Sequence, residues 1–167
     1  MKKNSFSVFL TVIVLAAVLL SWSAGVSLAS TDMPAFSLPD VAGDKAVDSR
    51  EYSGKVLLVV FFATWCPPCM EEVPSLINLQ KEFVRDGFTV IGLSVDEEGP
   101  QVVKNLIKQQ GINYPVAMAD SRTIRGFGGV YGIPMSFLVN QKGVIVKKYS
   151  GLVPHTVLVS DIKAVMQ

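Results

Sequence analysis

Apolar and polar positions fall in blocks along the chain, and the blocks predict alternating strands and helices. Lys55–Ala63 (KVLLVVFFA) is a continuous β-branched and aromatic run, the pattern of a strand covered on both faces and hence central in a sheet. From Cys66 to Asp86 the spacing turns helical. Cys69, Val73, Leu76, Ile77, Phe83 and Val84 share one stripe, with Glu71, Ser75, Asn78, Glu82 and Arg85 opposite. Gly87 ends this helix, and Pro74 inside it removes one amide and predicts a bend. Thr89–Val95 reads as the next strand. Pro100–Gln110 reads as a helix with Val102, Val103, Leu106 and Ile107 inward, stopped by Gly111. Val116–Ala119 follows as a short strand and Ser121–Gly128 as a short helix. Met135–Val139 and Val144–Tyr149 make two strands joined by a tight hairpin at Asn140–Gly143. His155–Met166 closes the chain as a helix whose inner stripe is Leu158, Ile162, Val165 and Met166. Met33–Ser53 is polar and turn-rich around Gly43-Asp44, a hairpin or extended lead-in. This order is that of an α/β domain with a mixed central sheet and helices on both faces.

The N-terminal segment differs from everything after it. Lys2 and Lys3 precede the apolar run Phe6–Leu20, and small residues end at Ser27-Leu28-Ala29, the three regions of a secretory signal cleaved after Ala29. An uncleaved anchor competes, because Asn4–Leu28 is long enough to span a hydrocarbon layer of about 30 Å. Either reading puts residues 30–167 outside the cytoplasm as one domain, touching a membrane only through residues 1–29 if they remain. Half of the 167 residues are apolar and 17% are charged, and the excess apolar content sits in this first segment. Beyond it the chain keeps 13 basic and 14 acidic residues, a formal charge of −1. That near-neutral body excludes a nucleic-acid binder held by bulk charge. With two cysteines, it is no disulfide scaffold either.

Both cysteines lie in Trp65-Cys66-Pro67-Pro68-Cys69, where the central strand becomes the helix. A spacing of three puts them one turn apart, within the Cα separation of about 4.4–6.8 Å that a disulfide requires. Cys66 then sits at the helix N-terminus, where free amides and the dipole favour an anion. This lowers a thiol's pKa and populates the thiolate, the attacking species. Pro67 and Pro68 suit a first turn and limit the amides that reach Cys66. Three plainer readings stand beside redox exchange. A structural disulfide closing so short a loop restrains the unfolded chain little. A closed zinc site takes four ligands, and His155 is the single histidine. Two inert buried thiols are the third. The strand-to-helix placement beside proline favours the redox pair. Elsewhere, Asp96-Glu97-Glu98 reads as a solvated loop, with partner recognition as the alternative. Trp65 reads as packing beside the dithiol or into the core. Gly126-Phe127-Gly128-Gly129 precedes a strand and lacks the spacing of a nucleotide-binding loop.

The segment VLLVVFFATWCPPCMEEVPSL, continued by Tyr131-Gly132-Ile133-Pro134-Met135-Ser136-Phe137-Leu138-Val139 and the Gly143 hairpin, resembles the thioredoxin superfamily. More narrowly, it is similar to the TlpA/ResA-type membrane-associated thiol-disulfide oxidoreductases, close to the cytochrome c maturation reductants. The resemblance covers residues 34–167. It implies a thioredoxin-like fold with an N-terminal hairpin extension and one inserted α-β unit. Cys66 then matches the family's exposed nucleophile and Cys69 its buried resolving cysteine, with their disulfide as the redox group and no bound cofactor or metal. Pro134 matches a cis-proline facing the dithiol, where base rates alone would leave the bond trans. The backbone of Ile133, just before Pro134, can then hydrogen-bond a bound polypeptide, and Trp65 beside the dithiol is the second candidate for substrate contact. Glu72 matches the active-site acid of a CxxCxxE pattern, one turn from Cys69, where it exchanges that thiol's proton. Its plainer reading is an acid favourably placed in the first turns of a helix. Glu71 faces solvent.

The implied partners are exported proteins, apocytochrome c CxxCH sites foremost, and a membrane thiol-disulfide electron donor, with the protein itself a monomer. The Pro-Pro pair lies where the family varies, so the direction of exchange stays open between a reductant and a disulfide-donating oxidase. A peroxiredoxin is a further alternative, although Thr64 precedes Cys66 by two where that pattern is Thr-x-x-Cys. A copper-handling protein of similar fold would carry CxxxC and a nearby histidine.

Overall fold

Seven consecutive buried residues, Val56–Phe62, form strand β4 at the middle of the molecule. The computed structural model describes residues 31–43 and 45–167, so the signal or anchor reading of residues 1–29 lies outside the described residues. Before β4 come β1 (Thr31–Asp32), β2 (Ser37–Pro39) and β3 (Ala46–Asp48); after it come α1 (Pro67–Phe83) and β5 (Phe88–Ser94). The chain continues through α2 (Pro100–Gln110), β6 (Val116–Met118), α3 (Ser121–Gly126), β7 (Met135–Val139), β8 (Val144–Ser150) and α4 (His155–Met166). The main sheet has six strands in the order β1-β8-β7-β4-β5-β6. β5 lies parallel to β4 and β6 parallel to β5, while β7 and β8 run antiparallel, so the sheet is mixed. β2 and β3 pair separately as the N-terminal hairpin, which a bridge from Asp40 to Ala117 ties to β6. The inserted α-β unit is α2 with β6, which extends the sheet beyond β5.

Alternate residues of β4 serve two cores, as period-two geometry requires. Val56, Leu58, Val60 and Phe62 meet Leu76, Leu79 and Phe83 of α1, Val103 and Leu106 of α2, and Leu158 and Ile162 of α4. Leu57, Val59 and Phe61 face Phe36, Leu38 and Val47 of the hairpin region, with Phe127 and Phe137. Helices therefore flank both faces, but α3 is short and the hairpin supplies much of the second cover. On β5, a Cβ added at Gly92 would lie 3.1 Å from the Phe62 ring and 3.3 Å from Val116, so the strand needs glycine for close packing.

The predicted elements recur with small shifts, and α1 carries the instructive ones. The helix runs on through Pro74, which removes one backbone bond without ending it. It passes into a 3-10 turn at Val84–Asp86 before Gly87, at φ 86°, stops it. Val84, expected in the buried stripe, is instead exposed on that turn. Leu79, Gln80 and Glu72 are buried there although the stripe omitted them. Gln80 has a specific partner, since its Oε1 accepts from the Val90 amide at 2.8 Å. β6 pairs with β5 at Gly92–Ser94, and Gln80 serves the amide of β5 that lies before that pairing.

Candidate functional site

The turn from β4 into α1 brings the two cysteines together. They are joined as a disulfide with a Cα–Cα separation of 5.3 Å. Cys66 caps α1 in an extended conformation, and its Sγ accepts from the Cys69 amide at 3.3 Å. Pro67 and Pro68 have no N–H, so the Cys69 amide is the first donor the helix offers, and it is spent on the Cys66 sulfur.

The Cys66 sulfur also lies 3.7 Å from the Ile133 carbonyl oxygen. The Ile133–Pro134 peptide bond is cis, and Pro134 is buried. The Pro134 carbonyl accepts from the Gly151 amide at 2.8 Å, which ties this loop to the end of β8. The Cys66–Cys69 pair and the Ile133–Pro134 loop, far apart in the chain, thus meet where the interior strand β4 ends and its neighbour β7 begins.

Two expectations need correction here. Cys66, expected exposed, is only 3% exposed in the disulfide form, because the Ile133 loop and the helix N-terminus cover its sulfur. Trp65, for which core packing was one of two expectations, is 63% exposed at the apex of the turn and so is not in the core. With Tyr131 on the cis-proline loop it gives this face two exposed aromatic rings.

Glu72 sits one turn beyond Cys69 on the inner face of α1 and is only 1% exposed. Its Oε1 accepts from the Val153 amide at 3.3 Å, and its Oε2 has no hydrogen-bond partner among the described residues. Burial penalises the charged form and, outweighing that single amide, pushes the Glu72 carboxyl up from 4.5 to about 7. The buried hydroxyl of Tyr114 is raised as well, by its own burial and then by the negative charge of Glu72. A proton can therefore be held or released at Glu72 near neutral pH. Glu71, the preceding residue of the helix, is exposed.

Asp96 departs most from the sequence reading. Glu97 and Glu98 are solvated, but Asp96 is buried and accepts from the Thr64 amide and hydroxyl and from the Ser94 hydroxyl. The partners that bury it come chiefly from Thr64, 32 residues earlier in the chain, so its neighbours in sequence carried no signal. His155 packs against α1, with Nδ1 2.8 Å from the Ser75 hydroxyl. Among the described residues, no three His, Cys, Asp or Glu side chains gather as a metal site, and no helix is long and apolar enough to cross a membrane.

The chain is similar to known proteins in sequence and fold. Residues 28–166 match the Redoxin family. The chain is 31% identical over 128 residues to the thiol-disulfide oxidoreductase ResA of Bacillus subtilis (strain 168), covering 77% of this chain and 70% of that protein. It is 35% identical over 141 residues to the thiol:disulfide interchange protein DsbE of Haemophilus influenzae, covering 83% of this chain and 75% of the relative. Among solved structures, a thioredoxin family thiol:disulfide interchange protein from Chlorobium tepidum TLS superposes with a TM-score of 0.78 at 38% identity. That match spans 84% of this chain and 99% of the other.

Proposed function

The chain belongs to the Redoxin family as a thiol-disulfide oxidoreductase of the ResA/DsbE type, and from that premise we propose that it reduces disulfides in exported proteins. One observation carries the reading. The Cys66 sulfur is held between the first amide of a helix and the Ile133 carbonyl, beside an exposed apolar face.

The reaction is dithiol exchange. The Cys66 thiolate attacks one sulfur of a substrate disulfide laid along Ile133 and Pro134, with Trp65 at its side. The substrate's other sulfur leaves as a thiolate, and a mixed disulfide remains. Glu72 takes the Cys69 proton, and the Cys69 thiolate attacks the Cys66 sulfur. The Cys66–Cys69 disulfide forms, the second substrate sulfur is released, and two electrons have passed to the substrate. A membrane thiol-disulfide donor then returns the protein to its dithiol state. The disulfide is the redox group, with no bound cofactor. The substrates are extracytoplasmic, with apocytochrome c CxxCH sites the leading class, and the protein acts as a monomer.

The midpoint potential of the Cys66–Cys69 couple in the purified protein, poised against glutathione or dithiothreitol, tests the direction. A value near or below about −230 mV is expected of a reductant. A value near about −120 mV marks a disulfide donor and overturns the reductive reading while leaving the exchange chemistry in place.

A further inference from the structure

We infer that Asp96 is a positioning residue for Cys66, holding the strand-to-helix turn in the geometry that exchange uses. The inference rests on the exchange reading and extends it to a residue outside the Cys-Pro-Pro-Cys segment.

Asp96 follows β5, the strand next to the one that leads to the cysteines, yet it is only 6% exposed. Both of its oxygens are turned on Thr64. Oδ1 accepts from the Thr64 hydroxyl at 2.6 Å and from the Thr64 amide at 3.1 Å, and Oδ2 accepts from the same amide at 3.0 Å. Oδ2 also accepts from the Ser94 hydroxyl at 2.7 Å, and that oxygen in turn receives the Asp96 amide at 3.0 Å. Among the described residues no lysine or arginine pairs with it.

A buried carboxylate without a cation is costly unless hydrogen bonds fill its lone pairs, and here they come chiefly from Thr64. Accepting from the amide and the hydroxyl of one residue at once works only when that residue holds one backbone orientation and one rotamer. Trp65 alone separates Thr64 from Cys66, and the Cys66 amide closes the turn on the Ala63 carbonyl at 3.2 Å. The Cys66 sulfur is therefore placed from the strand side by Asp96 and from the helix side by α1. Reacting groups displaced by about 1 Å lose up to roughly 100-fold in rate. Supporting contacts of this kind decide such displacements.

The test uses the purified protein carrying Cys69→Ser, in which Cys66 is the single thiol. Alkylation by iodoacetamide and attack on a small aromatic disulfide are timed with Asp96→Asn, Thr64→Val or Thr64→Ser added. Asp96→Asn and Thr64→Val are each expected to slow both reactions about tenfold, while Thr64→Ser, which keeps both donors, reacts at the parent rate. Thr64→Val changes no charge, so a shared loss separates positioning from the field of the carboxylate. Circular dichroism verifies folding, and Thr64→Val carries the comparison if Asp96→Asn does not fold. Parent rates in the folded variants, with only the melting temperature lowered, overturn the inference. So does a faster reaction confined to Asp96→Asn. Failure of the unsubstituted protein to reduce insulin disulfides would strike the exchange reading instead, and leaves the alkylation comparison intact.

Discussion

The Val153 amide donates to Glu72 Oε1 across 3.3 Å, joining residues 81 apart in sequence, while Glu72 Oε2 receives nothing among the described residues. Val153 lies two residues beyond Gly151, whose amide holds the Pro134 carbonyl. The buried acid and the cis-proline loop are thus fastened to one short connection between β8 and α4.

This half-satisfied carboxyl makes stability depend on pH. Its folded pKa of about 7 lies above the usual 4.5, so between those values the folded protein binds more protons than the unfolded chain. Stability therefore falls as pH rises through that window, by an amount on the order of 3 kcal/mol once the group is fully ionised. Glu72→Gln keeps an acceptor for Val153 and cannot ionise. Denaturant unfolding of the oxidised protein should show the variant similar to the parent at about pH 5 and more stable above about pH 8. A parallel dependence in both proteins would remove Glu72 as its source.

The same substitution bears on exchange. Glu72→Gln should slow resolution of a mixed disulfide more than it slows the first attack, because the proton it can no longer accept belongs to Cys69. Stopped-flow traces that leave both steps unchanged across neutral pH return Glu72 to a purely structural acid.

The cysteines should separate cleanly. Cys66→Ser is expected to abolish reduction of insulin disulfides, and Cys69→Ser to accumulate mixed disulfides visible on non-reducing gels. Retained activity in Cys66→Ser would reverse the assignment of nucleophile.

Trp65 offers a surface test. A ring this exposed contributes little to folding, so Trp65→Ala should change stability by no more than about 0.5 kcal/mol. Its expected effect is a raised KM for protein disulfides with kcat nearly unchanged. A large loss of stability, or an unchanged KM, would remove Trp65 from the substrate-facing surface.

Gln80→Ala should leave the buried Val90 amide without its acceptor and cost about 1–3 kcal/mol, read as a drop in melting temperature with exchange kinetics intact.

Local chemistry made much of this molecule legible in advance. A short unbroken apolar run rich in β-branched and aromatic residues, such as Val56–Phe62, reads as a strand covered twice, and a Cys-Pro-Pro-Cys segment at the head of a helical stripe carries its own geometry. Those signals act over one or two turns of chain, so residue order alone carries them. Contacts between distant segments leave no such trace. Nothing around Asp96 distinguishes it from its solvated neighbours Glu97 and Glu98, because the Thr64 amide and hydroxyl that bury it arrive from 32 residues away. Leu79 and Gln80 lie three and four residues from Leu76 and Phe83, on the same helix face, yet the stripe read from the sequence omitted them; the neighbouring strands and helices set how wide a band of α1 is enclosed. Folding likewise decided that Trp65 faces solvent and that the Cys66 sulfur lies under the Ile133 carbonyl. Period and propensity act along the chain; burial and hydrogen-bond partners belong to whatever the sheet places alongside.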